Sequence, residues 1–173
     1  MKPITITLLI LVSFLFAKDI FSQGLIKDDD YKFKITLPSD WSVTKTEETD
    51  KKDAISYAIE KKDGKNSIML LAFRVGNVKN LDDFIYTLEK DITLNIPERY
   101  SGYTDFDQGS YDGRWAVYKD NEFVETIYYY RTKNSSTPEN YTYMLRFITA
   151  GSFHNSDMEK EIQDIAKTFA PTL

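Results

Sequence analysis

The sequence contains no cysteine and only one histidine, and these absences exclude several kinds of chemistry. Without cysteine the chain has no disulfide, no thiol nucleophile and no lipid-modified cysteine that would anchor an exported protein to a membrane. A zinc site would have to combine His154 with carboxylates alone, which is an unusual ligand set. We therefore expect a fold that is held by its hydrophobic core, without a metal or another cofactor.

Glycine is also scarce, and the seven glycines never cluster into a phosphate-binding loop. The sequence lacks a G-x-S-x-G nucleophile elbow, although a pairing of His154 with a serine or an acidic residue stays open. Lysine and arginine number 22 against 27 aspartates and glutamates, a formal net charge of −5. Because the sequence shows no catalytic motif, we predict a non-catalytic protein. Because nucleic-acid binding needs clustered basic residues, we also predict that this acidic chain binds no nucleic acid.

Acidic residues offer candidate metal ligands or catalysts, but none matches a known arrangement. Two short clusters stand out: Asp28, Asp29 and Asp30, and Asp105, Asp107 and Asp112. Neither fits the calcium loop that ends in a bidentate glutamate, so we interpret both as solvated charge. Glu122 and Glu125 could serve glycoside hydrolysis only if two carboxylates faced each other across a cleft, and we assign them no role.

The N-terminus carries an apolar run from Ile4 to Ala17 behind Lys2. A membrane-spanning helix needs about 20 apolar residues, so this shorter run is typical of a secretory signal peptide. We predict a signal peptide over residues 1–23 and one domain over residues 24–173, which would be periplasmic or extracellular, without a lipid anchor and monomeric. The alternative is an N-terminal helix that stays in the membrane or in the core.

Alternating apolar and polar residues predict several β-strands. Residues 31–37 alternate until Pro38, which has no amide hydrogen for strand pairing. Residues 55–60 and 67–75 form a predicted hairpin around Asp63-Gly64, and the second of these strands is apolar on both faces. Further strands are predicted at residues 103–108, 114–119, 123–132 and 141–149, whereas the lysine-rich stretch 45–53 and residues 133–140 are predicted as loops.

Two segments have the periodicity of amphipathic helices. The apolar positions of the first are Leu81, Phe84, Ile85, Leu88 and Ile92, and those of the second are Met158, Ile162, Ile165, Ala166 and Phe169. Asn80 is the predicted N-cap of the first helix, and Pro97 closes its segment. Ser156 and Glu159 suggest a capping box for the second helix, which Pro171 ends.

This order of elements predicts an α+β fold. We expect an α/β/α sandwich, in which a central, mostly antiparallel sheet of six to seven strands is flanked by one helix on each face. The covered faces of the strand at residues 67–75 require a packing partner on both sides of the sheet, which supports this arrangement.

The stretch YKFKITLPSDW at residues 31–41 resembles the start of exported domains of the PsbP-like superfamily. The likeness extends to the hairpin at residues 55–75, the helix at residues 81–92, the segment Gly113-Arg114-Trp115-Ala116 and a last helix that runs into Pro171. The resemblance implies a central antiparallel sheet flanked by helices and a role as an accessory or binding protein. It carries no functional residue over to this chain.

Tyrosines are the most promising candidates for a binding surface. Tyr128 and Tyr130 share one face of a strand and Tyr129 lies on the other, so that one set packs in the core while the other lies under a helix or at an open surface. Our candidate surface consists of Tyr128, Tyr130, Tyr141 and Tyr143, because tyrosine combines a large contact area with a polar group. The alternative is that these tyrosines are buried, with hydroxyls at the rim.

The sequence thus predicts an exported, non-catalytic accessory or binding protein that engages a protein partner or a small ligand in the cell envelope. Two alternatives remain open: a hydrolase outside the cytoplasm that uses acidic residues or His154, and a structural component of envelope assembly. We predict that Trp41 serves folding by covering the end of the sheet.

Overall fold

The computed structural model describes residues 24–75, 80–133 and 140–173. The predicted signal peptide and most of the predicted loop at residues 133–140 lie outside these ranges. In chain order the elements are β1 (Leu25–Asp28), β2 (Phe33–Thr36), β3 (Trp41–Glu48), β4 (Ala54–Lys61), β5 (Asn66–Val75), α1 (Leu81–Lys90), β6 (Thr104–Asp107), β7 (Tyr111–Lys119), β8 (Phe123–Thr132), β9 (Asn140–Ala150), a short 3-10 helix (Gly151–Phe153), α2 (Ser156–Thr168) and β10 (Ala170–Pro171).

Seven strands form one antiparallel sheet in the order β3-β4-β5-β9-β8-β7-β6. Hairpins connect β4 to β5 and β7 to β8, and the first of these turns uses Gly64 with φ +65°. At the second turn the Asp120 carboxylate accepts hydrogen bonds from the amides of Glu122 and Phe123. The predicted α+β class, the antiparallel sheet and the number of strands are confirmed.

The structure corrects the position of the first predicted strand. β2 does not join the large sheet but lies between β1 and β10 in a separate three-stranded sheet. Its partner β10 follows α2 directly, and the carbonyl of Lys32 accepts a hydrogen bond from the Thr172 amide. Sequence patterns describe which face of a strand is buried but not which strand it pairs with, so this second sheet was not foreseen.

The edge of the large sheet is formed by β3, which the sequence analysis treated in part as a polar loop. Only Trp41 and Val43 of this strand face the core, and its C-terminal half is exposed. Charged side chains such as Lys45 and Glu47 discourage pairing with another chain, which is a common property of edge strands. Because an edge strand has one exposed edge and few buried residues, its apolar alternation is too short to recognise.

Trp41 has the folding role that was predicted, although it packs against α2. The side chain is buried, and its indole Nε1 donates a hydrogen bond of 2.7 Å to Glu161 on α2. The other oxygen of the same carboxylate accepts a hydrogen bond of 2.6 Å from Lys61 on β4. Through these hydrogen bonds Trp41 and Lys61 connect α2 to the edge of the large sheet.

Helix α1 begins as predicted, with the Asn80 side chain accepting a hydrogen bond from the Asp83 amide. It ends at Lys90, earlier than predicted, and Ile92 is 91% exposed. The Asp91 carboxylate accepts hydrogen bonds from both the amide and the hydroxyl of Thr93. This local turn competes with helical pairing and stops the helix there.

Helix α2 is capped differently from the prediction. Asn155, with φ −150°, is the N-cap, and its side-chain oxygen accepts hydrogen bonds from the amides of Asp157 and Met158. Ser156 is already inside the helix, so the predicted capping box with Glu159 is wrong. Asparagine is as good an N-cap as serine, and only the backbone geometry shows which of the two adjacent residues occupies that position.

This assignment gives a direct test of the cap. Asn155→Ala is expected to lower the free energy of unfolding by about 1 kcal/mol, because two amides at the helix start lose their acceptor. Ser156→Ala, one residue further on, should change stability by less than about 0.5 kcal/mol. Urea denaturation of both variants measures the difference, and a larger loss for Ser156→Ala would show that the cap is assigned wrongly.

The two helices cover opposite faces of the large sheet, as predicted. On one face, α1 packs with a cluster that contains Ala116, Tyr118, Ile127, Tyr129 and Met144. On the other face, α2 and the small sheet pack with a second cluster, whose members from β8 and β9 are Tyr128, Tyr130, Tyr141, Tyr143, Leu145 and Phe147. The predicted division of Tyr129 from Tyr128 and Tyr130 is confirmed.

In the described residues no helix has both the length and the apolar character needed to span a bilayer.

Candidate binding groove

A groove runs along α2, where the helix faces the outer strands β7 and β8. It consists of two adjoining pockets of about 390 Å³ and 300 Å³, which share Trp115, Tyr128 and Gln163. We call the larger pocket the aromatic half and the smaller one the polar half, and both together the aromatic groove. Grooves of this size accommodate a small ligand or a few residues of a peptide.

The aromatic half is built from ring side chains of three strands and of the end of α2. They are Phe106, Tyr111, Trp115, Tyr128, Tyr130 and Phe169, with Gln108, Gln163 and Lys167 at the rim. Trp115 and Tyr128 are stacked with ring centroids 5.7 Å apart, and Tyr128 and Tyr130 are stacked at 6.3 Å. These three rings form a continuous row on the floor of the groove.

Strand register explains why the rings meet. Trp115 on β7 and Tyr128 on β8 are direct cross-strand partners, so their side chains lie side by side on the α2 face. Gly113 is the partner of Tyr130 on one side and of Phe106 on the other. Because Gly113 has no side chain, the rings of Phe106 and Tyr130 approach across it to 5.4 Å between centroids.

The structure places two of the four predicted tyrosines in the groove. Tyr128 and Tyr130 line it, whereas Tyr141 and Tyr143 are on the same face of the sheet but lie in the core. Tyr143 is fully buried, and its hydroxyl donates to the carbonyl oxygens of Tyr31 and Lys32 at 3.0 and 2.9 Å. Tyr143 therefore connects the small sheet to the large one by hydrogen bonds, and its hydroxyl is not available to a ligand.

Tyr128 differs from the other tyrosines in the core. It is 8% exposed, and its hydroxyl has no hydrogen-bond partner among the described residues, although the oxygen is not sealed from solvent. Burial raises the pKa of Tyr128 to about 12, so the hydroxyl stays protonated at neutral pH and can donate as well as accept. A hydroxyl that is accessible from the groove and has no protein partner is a group to which a ligand can hydrogen-bond.

The polar half contains the only histidine, but the described residues do not form a catalytic arrangement there. His154 Nε2 lies 3.6 Å from Glu159 Oε1, and no hydroxyl within the described ranges is hydrogen-bonded to the imidazole. The Ser101 hydroxyl in the same pocket is already used, since it accepts from the Val117 amide and donates to the Gly102 carbonyl. A nucleophile bonded to a base, as covalent hydrolysis requires, is therefore not seen in this part of the chain.

Most carboxylates of the two acidic clusters contact other groups of the protein. Asp28 accepts a hydrogen bond of 2.7 Å from the Tyr57 hydroxyl and another from the Tyr31 amide. In the second cluster each carboxylate contacts a basic side chain, in the pairs Asp105–Arg114, Asp107–Lys133 and Asp112–Arg131. No group of three or more potential metal ligands occurs in residues 24–75, 80–133 and 140–173.

Sequence reasoning missed several residues of the groove. Phe106 lies on a short edge strand, Gln108 follows that strand and Gln163 lies on the exposed flank of α2, so none of them has a recognisable pattern. Trp115 was recognisable, because it is the only tryptophan besides Trp41 and falls on the strand that precedes the tyrosine run. Its pairing with Tyr128 depends on the register of β7 and β8.

Comparison with known proteins identifies the fold but no family. No family model matches the chain, and no curated protein matches it. Among solved structures, LpqN of Mycobacterium tuberculosis, described as involved in cell envelope biogenesis, is 12% identical, with 82% of this chain and 83% of LpqN covered at a TM-score of 0.51. A variant of the protein Mog1 is 10% identical, with 86% and 95% covered at a TM-score of 0.50.

The chain has the fold of Mog1 and LpqN. Two further structures are similar at lower scores. The Saccharomyces cerevisiae Ran-binding protein Mog1p is 11% identical over 86% of this chain and 94% of its own, with a TM-score of 0.49. A protein of Bacteroides thetaiotaomicron is 14% identical over 86% of this chain at a TM-score of 0.48, and the match spans 48% of that longer protein.

Proposed function

We propose that the protein is an exported, non-catalytic binding protein of the cell envelope, which engages its partner through the aromatic groove. The observation that carries this proposal is Tyr128, whose side chain is largely buried while its hydroxyl stays open, without a hydrogen-bond partner among the described residues, where the two halves of the groove meet. Aromatic side chains with a polar group are enriched where proteins bind their partners, because they bury much area and keep a hydrogen-bonding site.

Three observations support the cellular setting of this proposal. Residues 1–23 have the composition of a signal peptide, and the absence of cysteine leaves no site for a lipid anchor on that residue. LpqN, which has the same fold, is described as involved in cell envelope biogenesis. The stretch YKFKITLPSDW resembles the PsbP-like superfamily, and that resemblance implies an accessory or binding role.

A pull-down from envelope fractions tests the proposal. We expect the wild-type protein to retain a specific partner and Trp115→Ala to lose it, because the variant removes the largest ring of the groove floor. Tyr86→Ala is the matched control, since Tyr86 is 65% exposed on α1, on the opposite face of the sheet. Both variants are checked for an unchanged thermal unfolding transition before use.

Two results would contradict the proposal. Retention of the same partner by Trp115→Ala would show that the groove is not the binding site. Hydrolysis of a generic ester or glycoside by the wild-type protein, abolished by His154→Ala or Glu159→Gln, would favour the catalytic alternative instead.

A further inference from the structure

The occupant of the groove must supply hydrogen-bonding groups as well as apolar surface. Besides the Tyr128 hydroxyl, the Trp115 indole nitrogen and the Gln163 amide have no hydrogen-bond partner in the described part of the chain. An acyl chain or another purely apolar ligand would cover these groups without bonding to them, and each buried unpaired group costs about 1–3 kcal/mol. A ligand with regularly spaced carbonyl oxygens would satisfy them.

An incoming β-strand cannot pair with the main chain of the groove. Its floor is the face of the sheet, and the backbone groups of β7 and β8 are paired with each other and with β6 and β9. Strand addition requires an open edge, where amide and carbonyl groups are available. A bound segment must therefore adopt a backbone conformation that does not depend on inter-strand hydrogen bonds. The polyproline II conformation has this property.

The length of the groove fits a short segment. Its lining residues on α2 run from Glu159 to Lys167, eight residues apart, which at 1.5 Å per residue is about 12 Å. Polyproline II advances by 3.1 Å per residue, so that about four residues span the groove. Aromatic-lined grooves are the usual receptors for such segments, whose prolines pack between the rings and whose carbonyl oxygens accept hydrogen bonds.

The charge of the groove is mixed, which favours an uncharged segment. Lys167 at one end is paired with Asp164 at 3.0 Å, and Glu159 at the other end lies beside His154. Lys119 packs over the Tyr100 ring, with Nζ 5.4 Å from its centroid. No single sign dominates, although the chain as a whole is acidic.

We propose that the aromatic groove binds a proline-rich segment of about four residues from a partner protein, in the polyproline II conformation. Trp115 and Tyr128 would hold the prolyl rings and donate to carbonyl oxygens, with Gln163 as a third donor from α2. This inference rests on the proposed binding function and names the kind of partner.

The test uses acetylated and amidated oligoproline peptides of four and six residues, titrated into the purified protein. Binding is followed by the fluorescence of Trp115 and by amide chemical shifts of the ¹⁵N-labelled protein. We expect saturable binding with shifts along β7, β8 and α2, and no binding of a glycine-serine peptide of equal length. Trp115→Phe is included to separate its emission from that of Trp41.

Substitutions then assign the contacts. Tyr128→Phe removes one hydrogen bond and should weaken binding about fivefold, whereas Trp115→Ala should weaken it at least about thirtyfold. Gln163→Ala on the exposed flank of α2 should also weaken binding, and because Gln163 is exposed we expect the fold to be retained. Tyr86→Phe, the matched control for Tyr128→Phe, should leave affinity unchanged.

Several outcomes would overturn the inference. Oligoprolines that fail to bind at millimolar concentration, or that bind equally to Gln163→Ala and Tyr128→Phe, would exclude this occupant. Shifts of the same groove residues by maltooligosaccharides or by laurate, without any by oligoproline, would assign the groove to a sugar or an amphiphile. In those cases the pull-down, which depends on Trp115 and on no particular ligand, still decides the binding function separately.

Discussion

Arg146→Met is expected to lower the free energy of unfolding by about 3–5 kcal/mol, because it leaves a buried carboxylate without its partner. Arg146 and Glu125 have side chains that are 7% and 4% exposed. The guanidinium donates to both oxygens of Glu125, at 2.7 and 2.6 Å, and also to the Leu94 carbonyl at 2.6 Å. The pair therefore connects β8 and β9 to the segment that follows α1.

The loss should depend on pH in a defined direction. Desolvation raises the pKa of Glu125 above its ordinary value, and the neighbouring Arg146 charge opposes this effect. Without the arginine only the causes that raise the pKa of Glu125 remain, namely desolvation and the Asp120 charge, so in the variant its folded-state pKa moves further above the unfolded value. A carboxyl with a raised folded-state pKa loses stability as pH rises, and the deficit should be larger at pH 8 than at pH 5.

Urea denaturation of wild type and variant at the two pH values measures this effect. Lys45→Met is the control, because it removes an ion pair with Glu47 in which both side chains are more than 60% exposed, and it should cost less than about 1 kcal/mol. Adding Glu125→Leu to Arg146→Met should recover much of the loss, since no buried charge then remains. A deficit that is the same at both pH values and is not recovered would contradict the assignment.

Gly113→Ala is expected to destabilise the fold by about 3 kcal/mol or more, an unusually large cost for one methyl group. A β-carbon on Gly113 would lie 2.3 Å from Cζ of Phe106 and 2.4 Å from the backbone oxygen of Tyr129. The phenylalanine ring can move away, but the Tyr129 carbonyl belongs to β8 and is fixed by strand pairing. The variant must therefore displace the Phe106 ring and also separate β7 from β8 locally.

Gly102→Ala provides the matched control. A β-carbon at Gly102 meets no atom within 4 Å, and the residue has no positive φ, so this change should stay within about 0.5 kcal/mol. Combining Gly113→Ala with Phe106→Ala relieves only the ring contact, and most of the loss should persist. Thermal or urea unfolding of the three variants measures these differences, and full recovery in the double variant would show that the backbone contact is unimportant.

The sequence predicted those elements best in which local pattern and tertiary role agree. The strand at residues 123–132 was predicted with its observed bounds, because its run of aromatic and β-branched residues and the turn-forming pair Asp120 and Asn121 before it are local signals. Asn80 was recognised as a cap for the same reason. Ile92 continued the apolar period of α1, yet the turn at Asp91 ended the helix before it.

Elements that depend on distant partners were not predictable in this way. β3 has few buried residues because it lies at an edge, and β10 has only two residues, which pair with β2 far away in the chain. Glu125 and Arg146 looked unremarkable in the sequence, and they became a buried ion pair only through the pairing of β8 with β9. Burial of a charge is a property of the assembled core and leaves no local pattern.

The sequence by itself determined which residues face each side of the sheet, since side-chain direction alternates along a strand and apolar side chains avoid water. It also determined the absence of thiol chemistry and the acidic charge of the whole chain. Only the tertiary structure decided that Tyr128 and Tyr130 lie at a groove while Tyr143 lies under the small sheet and Tyr141 in the core. The physical reason is that α2 and the small sheet share one face of the large sheet, and their packing determines which part of that face stays open.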